Sequence, residues 1–337
     1  MPRSKNKDDR ILAARSLRKQ AKLVAEHLGG ARLGEDIECI HRARVASRRL
    51  RAVLATFGDC WKRKQLKSWK KQIRRLASGL SEARDDDVQI EFLVSSLAGV
   101  SDAALVPGIA RLLSCVEQRR QWSQPRVLQA VDRAEQSGVL KEMQEAARRV
   151  LDESGDAPEV LSPAGRRRAV KSVRKRVKKL LAAAPGLASS EDRQQHHAMR
   201  IAAKSLRYTL ELARPRQSAE LDVIGGIVKR LQTLLGEIHD CDFWAENLDA
   251  FAQSEAGQVR VFFGESRRFD RLLPGLDYLR ENRKARRGQV FAELVAFWQE
   301  LSEKGVWDRL IELLKSDVAV APSSHGEDVD VRVGVAG

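Results

Sequence analysis

Two stretches decide the reading of this chain: His41-Arg-Ala-Arg-Val-Ala-Ser-Arg-Arg-Leu-Arg51 and His197-Ala-Met-Arg-Ile-Ala-Ala-Lys-Ser-Leu-Arg207. Superposed, they read H-x-x-R-[VI]-A-x-[RK]-x-L-R, and the match extends over residues 14–51 and 170–207 at a constant offset of 156. Solenoid families repeat every 20 to 50 residues or so, so two copies this far apart describe two related halves.

Upstream of the motif, Ala14, Leu17, Ala21, Val24 and Leu28 step by 3, 4, 3, 4, and Val170, Val173, Val177, Leu180 and Ala184 do the same. That is the stripe of a helix with one buried face. Arg15, Arg18, Lys19 and Lys22 correspond to Lys171, Arg174, Lys175 and Lys178. Downstream, at an offset of 155, Leu66, Trp69, Ile73, Leu76 and Leu80 match Leu221, Ile224, Val228, Leu231 and Leu235. A fourth match assumes an eight-residue insertion and relates Val116–Arg120 and Val127–Val131 to Leu279–Arg283 and Val290–Leu294. Each half is therefore expected to hold about four helices. The predicted fold is all-α, two four-helix bundles related by pseudo-two-fold symmetry.

The halves are expected at residues 8–151 and 164–315. The turn-rich segment 152–163 serves as linker, and residues 316–337 form a disordered tail without periodicity. Pro2, Pro158, Pro163, Pro185, Pro215 and Pro322 fall between or outside the periodic segments, so the helices are predicted to run uninterrupted.

On a helical wheel His41, Arg44, Arg48 and Arg51 span about 80°, beside an apolar arc of about 100° carrying Ile40, Ala43, Leu50, Leu54 and Phe57. The same arrangement places His197, Arg200, Lys204 and Arg207 together, and Lys67, Lys70, Lys71 and Arg74 beside Leu66 and Trp69. A lone basic stripe is ordinarily a solvated face. Here, however, Arg166 to Lys179 holds nine Lys or Arg and no acid, and Lys62 to Arg75 eight and no acid. Like charges three and four residues apart weaken a helix, so repeated stripes without relief point to a polyanion.

The whole chain agrees. Its 337 residues carry a formal net charge of +15, with 43% hydrophobic, 32% charged and 5% aromatic residues. Aromatic platforms, which single-strand nucleic-acid sites use, accompany the basic stripes only at Trp61, Trp69 and Tyr208, and Asn and Gln for base readout are few. A ligand made of phosphates alone needs neither; it needs Lys and Arg donors at close spacing. No apolar run approaches the ~20 residues of a bilayer span, the first ten residues lack a signal-peptide core, and Cys39, Cys60, Cys115 and Cys241 show no paired spacing. These features predict a cytoplasmic protein with buried thiols.

The helix His41 to Phe57, its repeat His197 to Ala213, and the L-x-x-x-L-x-E-x-x-D segments Leu76 to Asp85 and Leu231 to Asp240 resemble the CHAD domain, a histidine-bearing helical domain, over residues 8–315. The resemblance implies two four-helix bundles around a basic groove or pore that binds inorganic polyphosphate. It assigns the lining to His41, Arg44, Arg48, Arg51, His197, Arg200, Lys204 and Arg207. The chain is similar to stand-alone members, since it has no room for the acidic triphosphate-tunnel domain fused to some relatives. To these residues the stripes add Arg18, Lys22, Lys67, Lys70, Lys71, Arg74, Arg174, Lys178, Lys229 and Arg230. The third-helix cations Lys67, Lys70 and Lys71 correspond to Asp222, Gly225 and Gly226, so unequal halves are expected.

Other chemistry finds less support. The six histidines include no His-x-x-x-His, and the adjacent His196 and His197 point about 100° apart; no metal and no cofactor is expected. Glu82, Asp85, Glu237 and Asp240 are expected to pair with arginines of neighbouring helices. No phosphate-binding Gly-rich loop or nucleophile elbow occurs, and the chain is expected to bind polyphosphate, on granules among other places, without catalysis. The alternatives are a polyphosphate hydrolase or phosphotransferase using Asp85 or His41, and a nonspecific nucleic-acid binder.

Overall fold

The computed structural model describes residues 7–34, 36–153, 162–213, 218–264 and 267–319. All regular structure among them is helical: α1 (Lys7–Leu33), α2 (Ile37–Thr56), α3 (Arg63–Gly79), α4 (Ser81–Gly99), α5 (Val106–Gln136), α6 (Val139–Asp152), α7 (Pro163–Ala183), α8 (Arg193–Ala213), α9 (Ala219–Phe263), the short α10 (Arg267–Asp270), α11 (Leu273–Glu303) and α12 (Val306–Ala319), with 3-10 turns after α2 and α7. No described helix is long and apolar enough to cross a membrane.

The repeated stripes are the packed faces. Ala14, Leu17, Ala21, Val24 and Leu28 of α1 are buried against α2 and α6, as are Val173, Val177 and Leu180 of α7 against α8 and α12. Each half has its own core, and truncating a buried residue such as Leu50 or Leu206 to Ala costs about 2–5 kcal/mol. A third core lies between the halves, where Leu93, Ile109 and Leu112 of α4 and α5 meet Trp244, Leu248, Leu276 and Leu279 of α9 and α11.

Local signals set the boundaries. Asp36, Ser162 and Ser218 cap α2, α7 and α9, each side chain accepting a bond from a first-turn N–H. Buried Asp9 of α1 accepts bonds from Ser162 N at 3.0 Å and from Arg168, tying the start of one half to the start of the other. Pro107, Pro163 and Pro274 sit in first turns, where a missing N–H is harmless. Pro125, by contrast, lies inside α5, so that helix continues through a proline rather than being free of one.

The fourth match is corrected by the structure. Helices α5 and α11 both have 31 residues, and α6 and α12 both have 14. They superpose at an offset of 167, not 163: Pro107-Gly108 falls on Pro274-Gly275, Arg120 on Arg287, and Gly138 (φ 61°) on Gly305 (φ 57°). A four-residue slip is about one helical turn and keeps an apolar stripe nearly in register, so periodicity could not separate the two alignments. Gly108 and Gly275 lie face to face where α5 crosses α11. A Cβ on Gly108 would sit 2.1 Å from Leu272 O, and one on Gly275 2.2 Å from Leu105 O.

The third helix also differs between halves. In the first it breaks at Leu80 into α3 and α4, whereas α9 runs on for 45 residues. Cys60 and Cys241 are buried and Cys39 and Cys115 half-buried, all as free thiols. Of the expected linker, residues 154–161 lie outside the described residues. Helix α12 extends to Ala319, past the expected start of the tail at 316, and 320–337 lie outside the described residues.

Candidate functional site: a cationic cleft between the halves

Helices α2 and α4 of the first half and α8 and α9 of the second enclose a cleft of about 350 Å³. His41, Arg44 and Arg48 reach it from α2, one turn apart, because the apolar stripe beside them (Ile40, Ala43, Leu50) is committed to the core. Arg200 and Lys204 reach it from α8 for the same reason, with Met199, Ala203 and Leu206 buried behind them. Arg84 and Asp85 come from α4 and His239 and Asp240 from α9, while Gln89, Phe243 and Trp244 form part of the floor.

Arg84 pairs with Glu91 at 3.3 Å; the cations contributed here by α2 and α8 have neutral partners or none. Arg44 donates to Ala77 O at 3.2 Å and to Ser81 Oγ at 2.5 Å. Arg48 donates to the Tyr208 hydroxyl at 3.1 Å. Arg200 has a buried Nε without a hydrogen-bond partner. No ion pair reaches Arg44, Arg48, Arg200 or Lys204 among the described residues, and no hydrogen bond reaches Lys204.

Such crowding shows in the titration of the groups. Burial, then the charges of Arg200 and Arg48, bring Lys204 down to about 8. Burial, then Arg200, His197 and Lys204, bring His239 down to about 4. His41 is lowered by burial and by Arg84, and Arg44 and Arg200 are lowered by burial. These directions mark positive charge held out of water, which the nearby Asp85 and Asp240 offset only in part.

The expected carboxylate pairs divide into two groups. Glu82 pairs with Arg126, and Glu237 with Arg286 at 2.6 Å. Asp85 and Asp240 do not: they line the cleft and make no ion pair among the described residues. Their neighbours hold the third and fourth helices together instead, Asp86 with Arg119 at 2.7 Å, Asp87 with Arg120 at 2.6 Å and Asp242 with Arg287 at 2.6 Å.

Of the residues singled out by sequence, His41, Arg44, Arg48, Arg200 and Lys204 share the cleft. Arg51 and Arg74 line an adjoining basin. His197 stands at the rim, exposed, its ring 5.3 Å from that of His239. Arg207 is held by Glu211 at 3.2 Å. The rest lie outside the cleft lining: Arg18 and Lys22 on α1, Lys67, Lys70 and Lys71 on α3, Arg174 and Lys178 on α7, and Lys229 and Arg230 on α9. Lys22 pairs with Glu26 at 3.6 Å, and Arg230 pairs with Glu293 at 3.2 Å and lies over Phe297. Arg84 and His239 were missed as lining residues, although they occupy equivalent positions in the repeat, 84 and 239, beside the quoted Glu and Asp. That shared basic position was the available signal.

No group of three or more metal-ligating side chains occurs among the described residues. The model of the CHAD domain family matches residues 15–249. Two solved structures are similar in fold. The CHAD domain from the plant Ricinus communis is 20% identical, with 93% of this chain and 92% of that one covered at a TM-score of 0.54. PptA from Streptomyces chartreusis is 17% identical, with 86% of this chain and 99% of that one covered at a TM-score of 0.58. No curated protein sequence matches.

Proposed function

The chain belongs to the CHAD domain family, and from that premise we propose that it binds inorganic polyphosphate in the cleft between its halves, which stand as pseudo-symmetric helical bundles on either side. One observation carries the reading. Arg44, Arg48, Arg200 and Lys204 converge on one cleft without an ion-pair partner among the described residues. Holding four such charges together is unfavourable for the empty protein, and a run of phosphates removes that cost while satisfying the guanidinium donors in the fork geometry they favour.

Polyphosphate fits better than nucleic acid. Tyr208, the aromatic residue among the cations, has its ring against the guanidinium groups of Arg48 and Arg207, and Trp244 is buried against Phe92 and Phe243. Neither offers the free face on which a base stacks, which leaves the half-buried Phe243 as a single ring in the lining, where single-strand sites use a succession of them. The test is competition at matched phosphate concentration and about 0.15 M salt. Long-chain polyphosphate is expected to displace both single-stranded RNA and duplex DNA; equal or tighter binding of RNA overturns the assignment.

We assign binding without cleavage, in the cytoplasm and on polyphosphate granules, with no membrane partner. Asp85 and Asp240 relieve part of the positive charge in the empty cleft. Because Asp85 lies in the cleft, a cleaving enzyme is the second reading. Polyphosphate incubated with the protein and Mg²⁺ or Mn²⁺ is expected to keep its length on a gel. Shortening that disappears with Asp85→Asn favours the enzyme.

A further inference from the structure

Arg44 and Arg48 wall two hollows at once. Besides the cleft they line a basin of about 250 Å³ on the first-half side, together with Arg51, Arg74 and the hydroxyl-bearing Ser78 and Ser81. No carboxylate lines this basin, and neither Arg51 nor Arg74 has an ion-pair partner among the described residues. The two hollows adjoin at the shared arginines, which places the basin next in line for a linear anion lying in the cleft.

The equivalent ground in the second half keeps arginine at 207 and a lysine, Lys229, in the place of Arg74, but Ser81 becomes Gly236, and Ala55 and Ala77 become Glu211 and Gln232. Glu211 accepts from Arg207 at 3.2 Å and lies 3.5 Å from Arg49, and Gln232 accepts from Arg207 at 3.4 Å. A phosphate approaching Arg207 meets a carboxylate already seated there. It must displace that group or suffer its repulsion.

We propose that a polyphosphate chain longer than the cleft leaves it on one side only, along a lane formed by Arg51 and Arg74, and that Glu211 with Gln232 closes the opposite lane. This inference rests on the polyphosphate reading above. It makes the protein a one-sided reader of chain length: short chains use the cleft, and longer ones gain contacts over the first half alone.

The experiment compares the affinities of tripolyphosphate and long-chain polyphosphate for the full chain by calorimetric titration, with helicity checked by circular dichroism. In the Arg51→Ala, Arg74→Ala double variant the long-to-short affinity ratio is expected to fall about tenfold, as charged hydrogen bonds to two side chains are lost. In the Glu211→Ala, Gln232→Ala double variant the ratio is expected to rise several-fold, with a steeper salt dependence for the long chain as Arg207 begins to release counterions. An unchanged ratio in both variants, or equal weakening at both lengths, overturns the lane. Arg48→Ala separates the two ideas: if it leaves both ligands bound as tightly as before, the cleft reading itself fails, whatever the lane variants do.

Discussion

The guanidinium of Arg48 donates a 3.1 Å hydrogen bond to the hydroxyl of Tyr208, joining α2 of the first half to α8 of the second at the edge of the cleft. The bond fixes a cation from one half by a side chain of the other, and it uses a neutral acceptor that leaves the positive charge intact. Tyr208→Phe keeps the buried ring and removes only the acceptor. We expect about threefold to tenfold weaker polyphosphate binding, from the ~1 kcal/mol of one such bond, with unchanged helicity. Unaltered affinity in a titration means that Arg48 is positioned by other means.

Lys204 is expected to trade stability for binding. Its folded value of about 8 lies below the ordinary 10.5, so between those limits the unfolded chain holds more protons than the folded one. Stability therefore rises with pH through that window, and below about pH 8 the full cost of the buried charge is present. Lys204→Met should raise the melting temperature at pH 7, by on the order of 1–2 kcal/mol of stability, while weakening polyphosphate binding. For the unaltered protein, affinity should decline as the pH rises past about 8, since the empty cleft then loses the Lys204 charge. A lower melting temperature for the variant contradicts this account.

The ion pairs behind the cleft make a different prediction. Asp87 is buried and bound to Arg120 at 2.6 Å, and burial, with a smaller push from Glu91, raises its carboxyl against the pull of Arg120 and Arg84. Arg120→Ala leaves the carboxylate unpaired and should cost about 3–5 kcal/mol. Replacing both partners by Leu should recover most of that loss. If thermal unfolding shows the double variant to be as unstable as the single one, the pair is holding the third and fourth helices in a way that apolar packing cannot replace.

The motif helices were legible because their two faces obey one rule: the residues beside a committed apolar stripe must face something other than the core. That rule singled out His41, Arg44, Arg48, Arg200 and Lys204, which share the cleft. It could not say what stands opposite. Lys67, Lys71 and Lys178 share the same relation to their stripes, yet their helices present them to solvent outside the cleft. Arg84, His239 and the carboxylates Asp85 and Asp240 were harder, since an acid-rich segment reads as a set of structural ion pairs. Its neighbours Glu82, Asp86 and Asp87 do form such pairs. The register of the last two helices was hidden by their own periodicity. The Pro-Gly pairs at 107–108 and 274–275 and the left-handed glycines at 138 and 305 fix it, because these positions answer to backbone geometry and close approach rather than to hydrophobicity.

If the unpaired cations of the cleft hold polyphosphate, the salt dependence of long-chain polyphosphate affinity must differ between the unaltered protein and the variant carrying Arg200→Ala with Lys204→Ala. Each phosphate contact contributes roughly 0.7–0.9 to the slope of log affinity against log salt. The double variant should therefore bind more weakly, with a slope shallower by about one to two, and should retain its helicity. The same affinity and the same slope in both proteins would place the ligand elsewhere and contradict the account.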